Sequence, residues 1–205
     1  MTEDSGWKHS DDPHIAITAR GMKAMAHPVR MQLVGLLRKQ GPSTATRLAA
    51  QLGLNSGATS YHLRQLAAAG FVEEDRERGN ARERWWRSAH RLTLWTGDDM
   101  ADEEPDTAVA FLRSVLAVHS LTGQRALDAF ETMPREWRRV TDLSDLILQL
   151  TPVEAEQLTG ELSEVIGRYR RIDADGPFPE GSEQVSVIVH VLPDPSGTTT
   201  EGESA

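Results

Sequence analysis

The chain has 205 residues, a net charge of −9 at pH 7, 39% hydrophobic residues and no cysteine. The missing thiols exclude disulfides, thiolate metal sites and cysteine nucleophiles, and no apolar run approaches the length of a membrane span. The acidic, polar start (MTEDSGWKHSDDPH) is unlike a secretory or transit peptide, which leads us to expect a cytoplasmic chain.

Charge is unevenly spread. Residues 14–96 carry 13 Lys and Arg against 5 Asp and Glu, whereas residues 97–205 carry 8 against 22. A basic block inside an acidic chain is the footprint of a module that binds polyanions, because neutralised phosphates supply most non-specific affinity for nucleic acid.

Residues 1–13 lack apolar periodicity and are predicted to form a flexible tail. From Ile15 to Ala26 the apolar side chains Ile15, Met22, Met25 and Ala26 fall at helical spacing, and Pro28 stands where a second helix begins. That helix runs to Gln40 on a stripe of Val29, Leu33, Leu36 and Leu37, and Gly41-Pro42 stops it. Ser43 or Thr44 caps a third helix with Leu48, Ala49 and Leu52 inward, ended by Gly53. A fourth starts at Ser56 and ends at Gly70. FVEEDRER and ARERWWRS then flank Gly79-Asn80 as a β-hairpin. Helices followed by a hairpin make a winged helix-turn-helix, and we place its domain at 14–96.

The acidic stretch 97–106 is predicted to be a linker, and 107–192 a second domain. A long helix is expected from Thr107 to Met133, its Val109, Phe111, Leu112, Val115, Leu116, Val118, Leu127 and Phe130 covering more than one face. Leu143–Leu150 is expected as a strand. Thr151, Pro152 and Glu154 have the spacing of a capping box, opening a helix that ends near Arg171. Gln184–Leu192, rich in Val and alternating, is expected as another strand, and 193–205 as a disordered tail. The fold class is therefore α+β, mainly helical, with an N-terminal winged helix-turn-helix and a C-terminal helical or αβ domain for dimerisation or effector binding.

At 100° per residue, Thr59, His62, Leu63 and Leu66 fall on one side of the fourth helix, and Gly57, Ser60, Tyr61 and Arg64 on the other. The second face suits entry into a groove of duplex DNA. Ser60 and Tyr61 donate or accept at base edges or phosphates, Arg64 pairs with guanine or phosphate, and Gly57 admits close backbone approach. Ser56 adds a cap whose neighbouring N–H groups suit a phosphate. His62, at the edge of the buried face, is expected to hydrogen bond within the protein in preference to touching a base. On the hairpin, Arg82 and Arg84 share a strand face and Arg78 adjoins the turn, a set suited to the DNA backbone or minor groove, while Trp85 or Trp86 anchors the other side.

MAHPVRMQLVGLL followed by GATSYHLRQLAAAGFV resembles the ArsR-like winged-helix regulators, in which an A-H-P-x-R lead-in precedes the helix-turn-helix and S-x-H-L-x-x-L-x-x-A-G forms the recognition helix and its exit. The resemblance covers Ala19 to Trp86. It implies a homodimer on a pseudo-palindromic operator of double-stranded DNA, acting as a repressor released by a ligand, with Ser56, Ser60, Tyr61 and Arg64 at the DNA-reading positions. It also implies a place in the cytoplasm with the nucleoid. Metal-sensing relatives use cysteine sites or clustered His and acidic ligands. Here the first is impossible, and the seven histidines show no paired helical spacing, so no metal or cofactor is expected. The effector is left as an unknown small molecule. The alternative reading is a winged helix that binds protein instead of DNA. No phosphate loop, nucleophile elbow or zinc-histidine pair supports an enzyme.

Overall fold

The computed structural model describes residues 14–79, 83–90, 92–94, 102–169 and 177–194. These fall into two compact units divided between Leu143 and Ser144.

In the first unit each helix begins and ends where local chemistry permits. Helix α1 (Ala19–Met25) starts at Thr18, whose Oγ1 accepts from the Gly21 N–H at 3.1 Å. Helix α2 (Pro28–Gln40) follows with Pro28 at its first position and His27 as cap, its Nδ1 accepting from the Val29 N–H at 3.2 Å. Strand β2 (Ser43–Thr44) runs into α3 (Ala45–Leu52), capped by Thr44 and closed by Gly53 in the left-handed conformation at φ 65°. Helix α4 (Ser56–Ala68) is capped by Asn55, whose Oδ1 accepts from the Ala58 N–H at 2.7 Å. Ser56, expected to be that cap, is instead the first helical residue, because the Asn55 amide oxygen one position earlier already takes the orphan donor.

Two expectations for the start of the chain change. Residues 14–16 form strand β1 (His14–Ala16), which pairs in parallel with β5 (Leu92–Leu94), so the first helix begins at Ala19 and Ile15 lies outside it. The partner strand lies far along the chain, beyond the reach of local periodicity. Residues 1–13, the predicted tail, lie outside the described residues.

Strands β3 (Val72–Glu74) and β4 (Trp85–Ser88) make the hairpin, and the antiparallel sheet order is β2-β4-β3. The turn residues Asn80, Ala81 and Arg82 lie outside the described residues. Of the two candidate anchors, Trp86 is the buried one and Trp85 is half-exposed.

Helix α5 (Pro105–Asp128) packs against α1 and α2, and its Ala108 and Phe111 join Met22, Leu33, Leu48, Leu63, Leu66 and Phe71 in one core. Its first turn is held to α1 by an ion pair of 2.7 Å between the Lys23 ammonium and the Glu104 carboxylate. The boundary expected at 97–106 therefore does not isolate this helix, since the winged domain needs α5 to cover α1 and α2. The helix also stops five residues before Met133, and a separate short helix, α6 (Arg135–Val140), follows Pro134. At Gly21 a Cβ would stand 3.1 Å from Ile17 Cγ1 and 3.3 Å from Phe71 Cζ, so a larger residue there would push these side chains by a few tenths of an ångström where α1 settles onto Phe71.

The second unit contains α7 (Pro152–Gly167), with the expected capping box complete: Thr151 Oγ1 accepts from the Glu154 N–H at 3.3 Å, and Glu154 Oε2 from the Thr151 N–H at 2.7 Å. The bond from the Thr151 N–H first, and then one from the Thr151 hydroxyl to the same Oε2 at 2.8 Å, hold the Glu154 carboxyl below its ordinary pKa. The helix ends at Gly167, short of Arg171. The two strands expected at 143–150 and 184–192 are not formed, and both segments carry no regular element and stand exposed. Alternation records which side chains share a face, whereas a strand exists only when a neighbour completes its ladder. Neither segment joins either sheet of the described residues.

Candidate nucleic-acid interface

Helix α4 divides as its sequence predicts. Thr59, Leu63 and Leu66 are buried against the core, while Gly57, Tyr61 and Arg64 are exposed and Ser60 is half-exposed. Thr59 turns its hydroxyl onto the Asn55 carbonyl at 3.1 Å, which satisfies a polar group without using the outer face. A Cβ at Gly57 would meet only Asn55 Oδ1, at 3.4 Å, so internal packing does not demand glycine there. Ser56 is exposed at the first turn, beside N–H groups that a helix start leaves without intrahelical acceptors.

Ser60 and Arg64 open into a groove of about 390 Å³ that Arg84 and Trp86 close from the hairpin, with Thr44, Thr46 and Glu83 on its remaining walls. The structure thus brings three of the expected site residues, Ser60, Arg64 and Arg84, to one concavity. Tyr61, Ser56 and Gly57 lie along the same helix outside its lining. Arg78 sits apart at the turn, its Nε 3.6 Å from Asp75 Oδ2. Arg82 lies outside the described residues. Thr46 and Glu83 were not anticipated. Thr46 follows the Thr44 cap at the start of α3, and that start was the available signal.

Positive charge is distributed differently from expectation. Residues 14–72 hold seven Lys and Arg and no Asp or Glu, while residues 73–88 hold five Arg and five acidic residues. The helices carry the excess and the hairpin is neutral. Arg47 on α3 lies with its guanidinium 4.9 Å from the centre of the Trp85 ring, linking α3 to β4 by a cation–π contact.

His62 departs from its expected role. Its ring stands 4.6 Å from that of His27, centroid to centroid, and its buried Nδ1 has no hydrogen-bond partner among the described residues. The contact is ring against ring, and the Tyr61 ring stands 5.7 Å away on the same helix. Arg30 gives its Nε to the Ala24 carbonyl and a terminal N–H to the Lys23 carbonyl at 2.9 Å, so it caps the end of α1. Burial first, then the charge of Arg30, pushes His27 below the ordinary imidazole value; burial, then His27 and Arg30, does the same to His62.

A depressed histidine pKa favours the neutral ring in the folded state. Its contribution to stability is therefore complete above the unfolded value of about 6.5 and is lost as pH falls through the lower folded values. Melting temperature is expected to decline on the acid side of that value, and His62→Gln to flatten part of the decline. An identical slope in the variant would show that this junction does not sense protons.

Three helices, a hairpin wing and an exposed helix face over a groove define a winged helix-turn-helix of the DNA-binding regulator class. Residues 25–75 match the family model for a helix-turn-helix domain. No curated protein sequence matches the chain. Among solved structures, the chain is similar to the homodimeric winged helix-turn-helix DNA-binding domain of a possible ArsR-family transcriptional regulator from Mycobacterium bovis, at 28% identity over 50% of this chain and 80% of that one, with a TM-score of 0.32. A possible transcriptional regulator for arsenical resistance matches at 26% identity over 63% of this chain and 100% of that one, TM-score 0.31. The apo form of a ZitR mutant from Lactococcus lactis matches at 16% identity over 68% and 83%, TM-score 0.31. The assignment of the winged helix rests on the family match and on the chain's own elements. Among the described residues no group of three or more His, Asp or Glu gathers as a metal site, and no helix is long and apolar enough to cross a membrane.

Proposed function

We propose that the protein is a transcriptional repressor that binds a pseudo-palindromic operator as a homodimer. Helix α4 enters the major groove, with Ser60, Tyr61 and Arg64 reading base edges. Ser56 and Gly57 take the backbone at the helix start, and the hairpin arginines Arg78, Arg82 and Arg84 lie over the backbone or minor groove. The observation that carries this reading is the outward face of α4, polar and cationic above a groove it shares with Arg84.

Symmetry follows from α5. Its Ala108 and Phe111 are committed to the core, yet Val109, Leu112 and Leu116 remain 43–45% exposed at spacings of three and four residues. A second copy of the same helix covers such a stripe and sets two recognition helices about one turn of DNA apart. The unit beyond Ser144 holds the response to a small-molecule effector in this reading.

Selection of bound duplexes from a random pool tests the proposal. An inverted repeat with half-sites about 10 base pairs apart is the expected product. Leu112→Glu with Leu116→Glu is expected to turn a dimer into a monomer in sedimentation and to lose affinity for the selected duplex. No enriched sequence, or a variant that stays dimeric, would contradict it.

A further inference from the structure

The hairpin has as many carboxylates as guanidinium groups, five of each, and the structure sets three of each in pairs. Arg84 Nε lies 3.2 Å from Glu74 Oε1, Arg87 lies 2.9 Å from Glu73 Oε1, and Arg78 lies 3.6 Å from Asp75 Oδ2. The pairing is built into the sheet. Glu73 stands opposite Arg87 in the β3–β4 register, so the two side chains leave the same face and meet across the strands. Glu74, the last residue of β3, meets Arg84, which immediately precedes β4, whereas Asp75 and Arg78 pair locally, three residues apart at the start of the turn.

We propose that Glu73, Glu74 and Asp75 compete with DNA phosphate for the wing's arginines and so restrain non-specific binding. This rests on the DNA-binding reading above. An arginine that meets a phosphate as a free cation releases condensed counterions, and that release is the source of sequence-independent affinity. An arginine that must first leave a carboxylate gains less, and the carboxylate left behind repels the backbone. Such pairs in solvent are each worth about 1 kcal/mol or less, so they restrain the wing without locking it. The three pairs weaken every duplex alike. The discrimination supplied by α4 is untouched, so the absolute affinity for non-specific duplex falls while the ratio of specific to non-specific affinity stays the same. Arg84 is also placed 5.9 Å over the Trp86 ring, which keeps its guanidinium at the rim of the groove while Glu74 holds it.

The test compares the full-length chain with Glu73→Gln/Glu74→Gln, titrated with the duplex recovered by selection and with a scrambled duplex at several salt concentrations. Both substitutions are isosteric and on exposed side chains. The variant is expected to bind the scrambled duplex about tenfold more tightly at low salt. Its slope of log K against log salt should steepen by up to about 1.8, at about 0.9 for each arginine released, for the selected and the scrambled duplex alike, so its specificity ratio should stay the same. Glu161→Gln/Glu164→Gln, the same change of charge on α7, is expected to leave the slope and both affinities unchanged. An unchanged slope in the hairpin variant, or an equal change in the α7 variant, overturns the proposal while wild-type binding keeps the DNA reading intact. A wild-type chain that binds neither duplex overturns both.

Discussion

Arg64→Ala is expected to weaken binding to the selected duplex by about 1–3 kcal/mol, a loss of roughly 5- to 150-fold. Arg64 is the cation on the outward face of α4, exposed, and one turn from Ser60 in the same groove. Nothing in the fold depends on it, because the opposite face of the helix carries the packing through Thr59, Leu63 and Leu66. The variant should therefore melt with the wild type and fail only at DNA. Two outcomes tell apart what Arg64 does. If it reads a guanine, the loss is confined to duplexes with that base pair and Arg64→Lys restores little, since lysine cannot make the bidentate pair. If it holds a phosphate, all duplexes weaken alike and the salt slope drops by about one. Titration of the selected duplex and single-base variants of it distinguishes them, and unchanged affinity would remove Arg64 from the interface.

Phe71→Ala is expected to cost the fold about 3–5 kcal/mol, a large part of the stability of a domain this size. Phe71 is fully buried where α4 hands over to β3. Its N–H donates to the Leu66 carbonyl at 3.0 Å, its carbonyl accepts from the Ala89 N–H at 3.0 Å, and its ring lies under α1 near Gly21. One side chain thus ties the recognition helix, the hairpin and the first helix together. Removing the ring leaves a cavity that the two backbone hydrogen bonds prevent from closing. Phe71→Leu should cost less because it keeps most of the volume. Urea unfolding followed by far-ultraviolet circular dichroism measures both, and a Phe71→Ala loss below about 1 kcal/mol would contradict this view of the core.

Helices α2, α3 and α4 were legible from sequence because their ends carry strong local chemistry: Pro28 before α2, Gly41 after it, Thr44 and Gly53 around α3. The outward face of α4 followed from the wheel, whereas the meeting of Ser60 and Arg64 with Arg84 in one groove is a tertiary contact that only the fold shows. The capping box at Thr151 and Glu154 was legible for the same reason: it is complete within four residues. What failed was non-local. The β1–β5 pair joins residues about eighty positions apart, and no local pattern announces it. The packing of α5 onto α1 and α2 moved the division of the chain past the acidic stretch, because composition marks solvent exposure more reliably than it marks where a core ends. In 143–150 and 184–192 the alternating Leu, Ile and Val were real, but strand formation needed a partner that periodicity does not supply.

The hairpin gives the sharper lesson. Its arginines were visible in sequence, and so were Glu73, Glu74, Asp75, Glu77 and Glu83 among them. Only the folded hairpin shows which acids take which arginines: the register sets Glu73 against Arg87, Glu74 reaches Arg84 across the strands, and Asp75 takes Arg78 within the turn. The surplus of positive charge accordingly lies on the helices, where residues 14–72 hold seven cations and no acidic residue, Lys23 being paired with Glu104 from the start of α5. His62 was likewise placed correctly at the edge of the buried face, but its neighbour, the His27 ring, comes from another helix.

A winged helix that binds duplex DNA through charge carried on its helices and a reading face on α4 must lose affinity as salt rises. Titration of the wild-type chain with the selected duplex between about 50 and 200 mM salt measures this, and the affinity is expected to fall about a hundredfold or more across that range, as several phosphate contacts require. Binding that is absent, or that ignores salt, would contradict it.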